Sequence, residues 1–209
     1  PYEVAKPQLD QTLAGWKTQY AGNPDMLVAD YVLADRKARR VTLLACKTSA
    51  SEDDPVEFFV APYASGKDYE SFAITYAKPS DVHKALEFIG LKPGRTINYE
   101  TNHQWPRGPR VRMTFEIKGQ QIPAEDLIIN SETKATLPRT GMVFTGSQMI
   151  TDEQGKKHYA ADVVESKAIA PNFNDQYTVL DIPNRAAQGE VYGFQPVSYT
   201  HLRAHETLR

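Results

Sequence analysis

The sequence predicts an α+β fold that is predominantly β: a single antiparallel-rich sheet or sandwich domain with one clear helix at about residues 80–90. Three observations carry this. Short runs of β-branched and aromatic residues recur with turn signals at roughly ten-residue spacing. Val111, Met113, Phe115 and Ile117 alternate with Arg112, Thr114 and Glu116, the period of a half-buried strand. And one segment, residues 80–90, combines a helical apolar stripe with signals at both of its ends.

Taken in order, residues 1–25 form an N-terminal extension, where Leu9, Leu13, Trp16 and Tyr20 share one face of a short helix closed by Gly22-Asn23-Pro24. From Met26 the texture turns β-like. Residues 27–33 and 41–46 flank a polar turn at 35–39 and read as a hairpin, and residues 56–61 and 71–76 read as a second hairpin around a loop containing Gly66. In the helix, Ser80 is the expected N-cap, with Asp81 favouring the positive end. Val82, Ala85, Leu86 and Ile89 make the stripe. Gly90 stops it, Leu91 packs back in a Schellman cap, and Pro93 prevents resumption. Pro79 pushes Lys78 into extended geometry. Residues 92–110, rich in Pro, Gly and Asn, are expected as a long exposed loop. Further strands are expected at 127–130, 142–145, 147–150 and 158–161, the last continuing through 163–169.

Residues 26–197 are read as one β-rich domain, since neither an internal repeat nor a low-complexity linker divides them. Residues 198–209 resemble a translated adapter tail that recurs at the ends of metagenome-assembled proteins and are expected to be non-native, which sets aside His201 and His205. The chain opens at Pro1, so it is read as a piece of a longer product.

Composition narrows the chemistry. Of 209 residues, 41% are hydrophobic and 24% charged, with a net charge of −2, which excludes wholesale disorder and gives no general pull on nucleic acid or anionic membrane. No apolar run reaches the roughly 18 residues that span a bilayer. A single cysteine, Cys46, excludes an internal disulfide, a four-cysteine zinc site and a Cys-ligated iron–sulfur cluster. It reads as buried and inert.

Several strings resemble the YdjY-domain family of bacteria, whose function is not established. They are Gly66-Lys67-Asp68-Tyr69-Glu70-Ser71, Ala77-Lys78-Pro79-Ser80-Asp81-Val82-His83-Lys84-Ala85-Leu86 and Ile89-Gly90-Leu91-Lys92-Pro93-Gly94. Further along are Phe144-Thr145-Gly146-Ser147, Tyr159-Ala160-Ala161-Asp162 and Gly189-Glu190-Val191-Tyr192-Gly193. The resemblance spans about residues 28–195. It implies export to the periplasm or cell envelope; some members are described in connection with ferredoxins, and with one cysteine any redox role here is indirect. Tyr69 stands where the family often has His.

The candidate site gathers at the helix start. Ligand-binding candidates are Glu70, Ser71, Ser80, His83, Thr145 and Ser147. The leading expectation is a non-catalytic binding or accessory domain for an unknown protein or small-molecule ligand, with no cofactor, metal or nucleic acid. The alternative is a small serine hydrolase in which Ser71 or Ser147 is the nucleophile and His83 the base, with Glu70 orienting it. No nucleophile elbow surrounds Ser71, and Glu70 and Ser71, adjacent on a strand, point to opposite faces. The plainer reading has Glu70 or Ser71 accepting the helix amides. Residues 144–147 are either an anion nest or a bulge at Gly146. His158 and Asp162, four apart on the expected strand, form a possible metal pair set against ordinary surface polarity. Arg107, Arg110 and Arg112 with His103 and Trp105 read as a solvated loop rather than a nucleic-acid patch. A third possibility is an envelope module that meets a partner through the 92–110 loop.

Overall fold

The computed structural model describes residues 2–50, 54–98, 105–130, 132–164, 167–183, 192–194 and 206–208. Helix α1 (Tyr2–Gln19) precedes a meander of β1 (Met26–Ala29), β2 (Val32–Asp35) and β3 (Arg40–Lys47). The run expected as one strand at 27–33 is split by the two-residue turn Asp30-Tyr31, with Tyr31 at φ 58°. Next come β4 (Phe58–Pro62), β5 (Ser71–Thr75) and α2 (Pro79–Phe88).

β3 explains the layering. Its residues 42–46 are all buried, as in a strand covered on both faces. Leu44 and Cys46, with Ile74 of β5, pack against Ala5, Leu9 and Leu13 of α1. The alternate residues Leu43 and Ala45, with Ala73, join Val82, Ala85 and Leu86 of α2 in the main core. Successive strand side chains point to opposite faces, so the two helices cover opposite sides of the sheet.

β4 and β5 are not the expected hairpin. They pair in parallel, Phe58 opposite Ser71 and Pro62 opposite Thr75, while β5 is antiparallel to β3. The connection 63–70 is not a tight reversal. It contains two 3-10 turns, Tyr63–Ser65 and Asp68–Glu70, which carry the chain back to the end of the strand where it began.

The alternating run at 110–117 divides into β6 (Arg110–Val111) and β7 (Thr114–Ile117). Met113, Phe115 and Ile117 are buried as the alternation predicts. Lys118 and Gly119, both at positive φ, form the two-residue turn into β8 (Gln120–Pro123). The remaining strands are β9 (Ile128–Asn130), β10 (Met142–Phe144), β11 (Met149–Thr151) and β12 (Lys157–Tyr159). After them come α3 (Ala160–Val163), β13 (Ala170–Pro171), β14 (Leu180–Asp181), β15 (Tyr192–Phe194) and β16 (Glu206–Leu208). β10 lies between β14 and β6, β11 pairs with β12, and β15 pairs with β9. β13 extends the main sheet beside β4. β16, the described part of 198–209, pairs with β3 and β7. The architecture is thus the predicted α+β fold, predominantly β and rich in antiparallel pairs.

Where a strand was expected to run on through 163–169, the chain instead turns into α3. Ala160 and Ala161 are fully buried there, and the Ala161 amide is captured by Ser147 Oγ at 3.2 Å. The 92–110 loop is partly tied down: Arg95 and Arg107 exchange two backbone hydrogen bonds, and Ile97 is buried. Residues 99–104, including His103, lie outside the described residues.

Candidate functional site

The expected site begins with α2. Its C-terminus follows the sequence: Gly90 N–H donates to Glu87 O at 2.9 Å and Leu91 N–H to Leu86 O at 3.1 Å, the paired bonds of a Schellman motif. Its N-terminus differs. Lys78 is the N-cap, extended as Pro79 demands, and Pro79 takes the first helical position. Ser80 is therefore inside the helix and does not cap it. Its amide donates to Asp162 Oδ1 at 3.0 Å, so a carboxylate from α3 satisfies the helix start and places negative charge at its positive end.

One turn further, His83 meets the 144–147 segment and Tyr159. His83 Nδ1 lies 2.9 Å from Tyr159 Oη and 3.1 Å from Gly146 O, and Tyr159 Oη donates to Gly146 O at 3.0 Å. One arrangement satisfies all three atoms: Nδ1–H donates to Tyr159 Oη, which donates to the Gly146 carbonyl. His83 Nε2 faces Glu87 Oε2 at 3.5 Å. The imidazole is edge-on to the Phe144 and Tyr159 rings. Burial, then the charges of Asp162 and Glu87, push the Tyr159 phenol up, so it stays protonated and acts as a donor. Gly146 makes the approach possible. It sits at φ 83°, and a Cβ there would fall 2.4 Å from Pro93 Cβ and 3.0 Å from His83 Cε1. The segment is thus a site of close backbone approach.

Thr145 is buried, its hydroxyl within reach of the Thr178 and Val179 carbonyls. Ser147, at φ 56°, donates to Tyr177 O at 2.7 Å.

Glu70 and Ser71 belong to a different cluster. Lys67 Nζ donates to Glu70 Oε1 at 2.7 Å, and Ser71, 0% exposed, donates its hydroxyl to Lys67 O at 2.5 Å. Burial works against the Lys67 ammonium, yet the hydrogen bond and charge of Glu70 outweigh it and hold the group charged above its usual range. Partial burial, then the charge of Glu70, push the nearby Glu57 carboxyl up. No hydrogen bond or ion pair among the described residues joins Glu70 or Ser71 to His83.

Lys67, but neither Glu70 nor Ser71, lines an open cleft of about 570 Å³, within the usual size for a small-ligand site. Ser65, Gly66, Lys67 and Tyr69 of the β4–β5 crossover form one wall; Val164, Asp175 and Tyr177 form the other. The second wall is held from behind. Asn174 Nδ2 donates to Asp181 Oδ1 at 3.0 Å, the Tyr177 amide donates to Asp175 Oδ1 at 2.5 Å, and Ser147 holds the Tyr177 carbonyl. The 66–71 string lines the cleft directly through Gly66, Lys67 and Tyr69, while Ser147 of the 144–147 string braces the Tyr177 wall from behind. Sequence reasoning missed Lys67 and Tyr69, although they lie inside the quoted string. It also missed Asp175 and Tyr177, which carry no local signal and are brought in by tertiary packing alone.

The possible metal pair is not formed. His158 Nε2 is 2.6 Å from Asp152 Oδ2 across the β11–β12 turn, while Asp162, in α3, serves Ser80. His158 and the Lys156 and Gln154 amides hold the Asp152 carboxyl below its usual range. Among the described residues no three His, Cys, Asp or Glu side chains are grouped so that they could hold a metal ion. None of their helices is long and apolar enough to cross a membrane.

Fold and site define a β-rich α+β domain with a helix on each face of its main sheet and a small polar cleft at a crossover loop. The chain belongs to the YdjY domain family, whose model matches residues 32–162. That span includes Lys67, Glu70, His83, Ser147 and Asp162. No curated protein and no solved structure matches the chain.

Proposed function

We propose that this chain is an exported binding or accessory domain of the periplasm or cell envelope, without chemistry of its own, and that its ligand occupies the Lys67–Tyr177 cleft. The observation that carries this reading is a cleft lined by Gly66, Lys67 and Tyr69 of one sequence string, its Tyr177 wall braced by Ser147 of another. Lys67 is already paired with Glu70, and Asp175 stands across from it, so the cleft offers no unpaired cation. Tyr69 is 63% exposed and presents a ring that a ligand can cover. Together these favour a neutral or cationic polar ligand.

The serine hydrolase alternative has less support. Both candidate hydroxyls donate to backbone carbonyls, and His83 Nδ1 is engaged with Tyr159 and Gly146.

The test is a thermal-shift screen of the purified protein against neutral sugars and small amines, repeated with Tyr69→Ala. A stabilising compound should lose its effect in Tyr69→Ala while the unliganded melting temperature stays put. Stabilisation that survives the substitution would place the ligand elsewhere. A serine-reactive fluorophosphonate should leave the protein unlabelled; labelling abolished by Ser71→Ala or Ser147→Ala would favour the hydrolase. Fractionation of cells expressing the whole gene product should recover it outside the cytoplasm.

A further inference from the structure

A second, larger cleft of about 750 Å³ lies between the β6–β7 edge, β8 and the turn at 139–141. Three arginines line it: Arg110, Arg112 and Arg139. Gly141 draws the walls together. It takes φ 70°, and a Cβ there would lie 3.1 Å from Val111 O, so the 139–141 turn sits directly against β6.

The acidic groups nearby are already engaged. Asp126 takes two hydrogen bonds from Arg139, Nε to Oδ1 at 2.8 Å and Nη2 to Oδ2. Glu125 is buried, and its Oε1 accepts the Gly141 amide at 3.0 Å. Arg110 is oriented by a 3.1 Å bond from Nη1 to Thr140 O and makes no ion pair with a carboxylate among the described residues. Arg112 is exposed and makes no ion pair among the described residues. The cleft thus presents two guanidinium groups that form no ion pair among the described residues, one of them fixed in place, beside a third braced by Asp126, with the Glu125 carboxylate also in the lining. Guanidinium forks match the oxygens of carboxylates and phosphates in pairs.

We propose that this cleft binds a small oxyanion carrying two or more acidic groups, carboxylate or phosphate, held by Arg110 and Arg112 with Arg139 beside them. The site is distinct from the Lys67–Tyr177 cleft, where Lys67 is the one cation among the described lining residues and is paired with Glu70, and it does not depend on that cleft having a ligand. Its volume suits a small molecule, and its lining sets three arginines against one carboxylate, Glu125, on a chain whose net charge is −2, which favours a compact anion over a long polyanion.

The test follows amide chemical shifts on titration with pyrophosphate in one arm and citrate in the other, separating phosphate from carboxylate recognition. Saturable shifts at Arg110, Arg112 and Gly141 in either arm are expected, weakening with added salt. Arg112→Ala should weaken binding about tenfold or more, with the unliganded melting temperature unchanged. Arg112→Lys, which keeps the charge but loses the fork, should fall in between. No saturable shift in either arm, shifts that map elsewhere, or equal binding by Arg112→Ala would overturn the proposal. So would an oligonucleotide that binds this cleft more tightly than either probe.

Discussion

Asp181 is an acid kept away from water. It is fully buried on β14, and burial pushes its carboxyl well up despite hydrogen bonds from Asn174 and the Asp175 and Ile182 amides. Above the ordinary carboxyl range the unfolded chain ionises this group while the folded chain keeps the proton, so the folded state binds more protons and stability falls as pH rises. Replacement by Asn removes that slope and retains an oxygen for Asn174. Between about pH 4 and about pH 8 the urea midpoint of Asp181→Asn should therefore decline less than that of the parent chain; parallel declines would show that Asp181 ionises freely in the fold. The same residue was invisible as a site determinant in the sequence. Asp181 acts through Asn174 on a loop wall, and nothing in a string of letters marks which acid will be enclosed.

Among the elements, α2 was the most legible because its signals are local. Its stripe, its Gly90 stop and its Leu91 return bond all lie within a dozen residues. Its start was not legible. Pro79 moved Ser80 inside the helix, and the cap came from Asp162, 82 residues downstream. Asp162→Ala should cost about 1 kcal/mol by leaving the Ser80 amide unsatisfied, and Asp162→Asn should recover most of it; urea unfolding reads both. Equal loss in the two variants would mean that Asp162 acts through its charge, not as an acceptor. The β4–β5 pair was misread for a related reason. Each run announced a strand, but strand direction depends on how the intervening eight residues travel, and turn-forming letters fit a reversal and a crossover equally well.

At the scale of the molecule, β3 separates the main apolar core from a smaller one beneath α1. Leu9 and Leu13 of α1 close the smaller one over Leu44, Cys46 and Ile74. Cys46, 3% exposed, makes that closure measurable, since a thiol reacts with Ellman's reagent only when α1 lifts or the chain unfolds. Leu9→Ala should cost about 2–5 kcal/mol and speed Cys46 labelling well beyond the parent rate; unchanged labelling alongside lower stability would mean that α1 stays seated. The sandwiching of the sheet was only half readable. The helical spacing of Leu9 and Leu13 and the unbroken apolar run of β3 were both present, but which face each helix would cover depends on contacts between segments far apart in the chain.

The crossover between β4 and β5 does two jobs with one stretch of chain. Residues 63–70 must bridge the length of a strand, and they also supply Ser65, Gly66, Lys67 and Tyr69 to the cleft. A substitution on this tether would therefore alter what the cleft admits, whereas losing a residue from it would shorten the span that keeps two neighbouring strands running the same way.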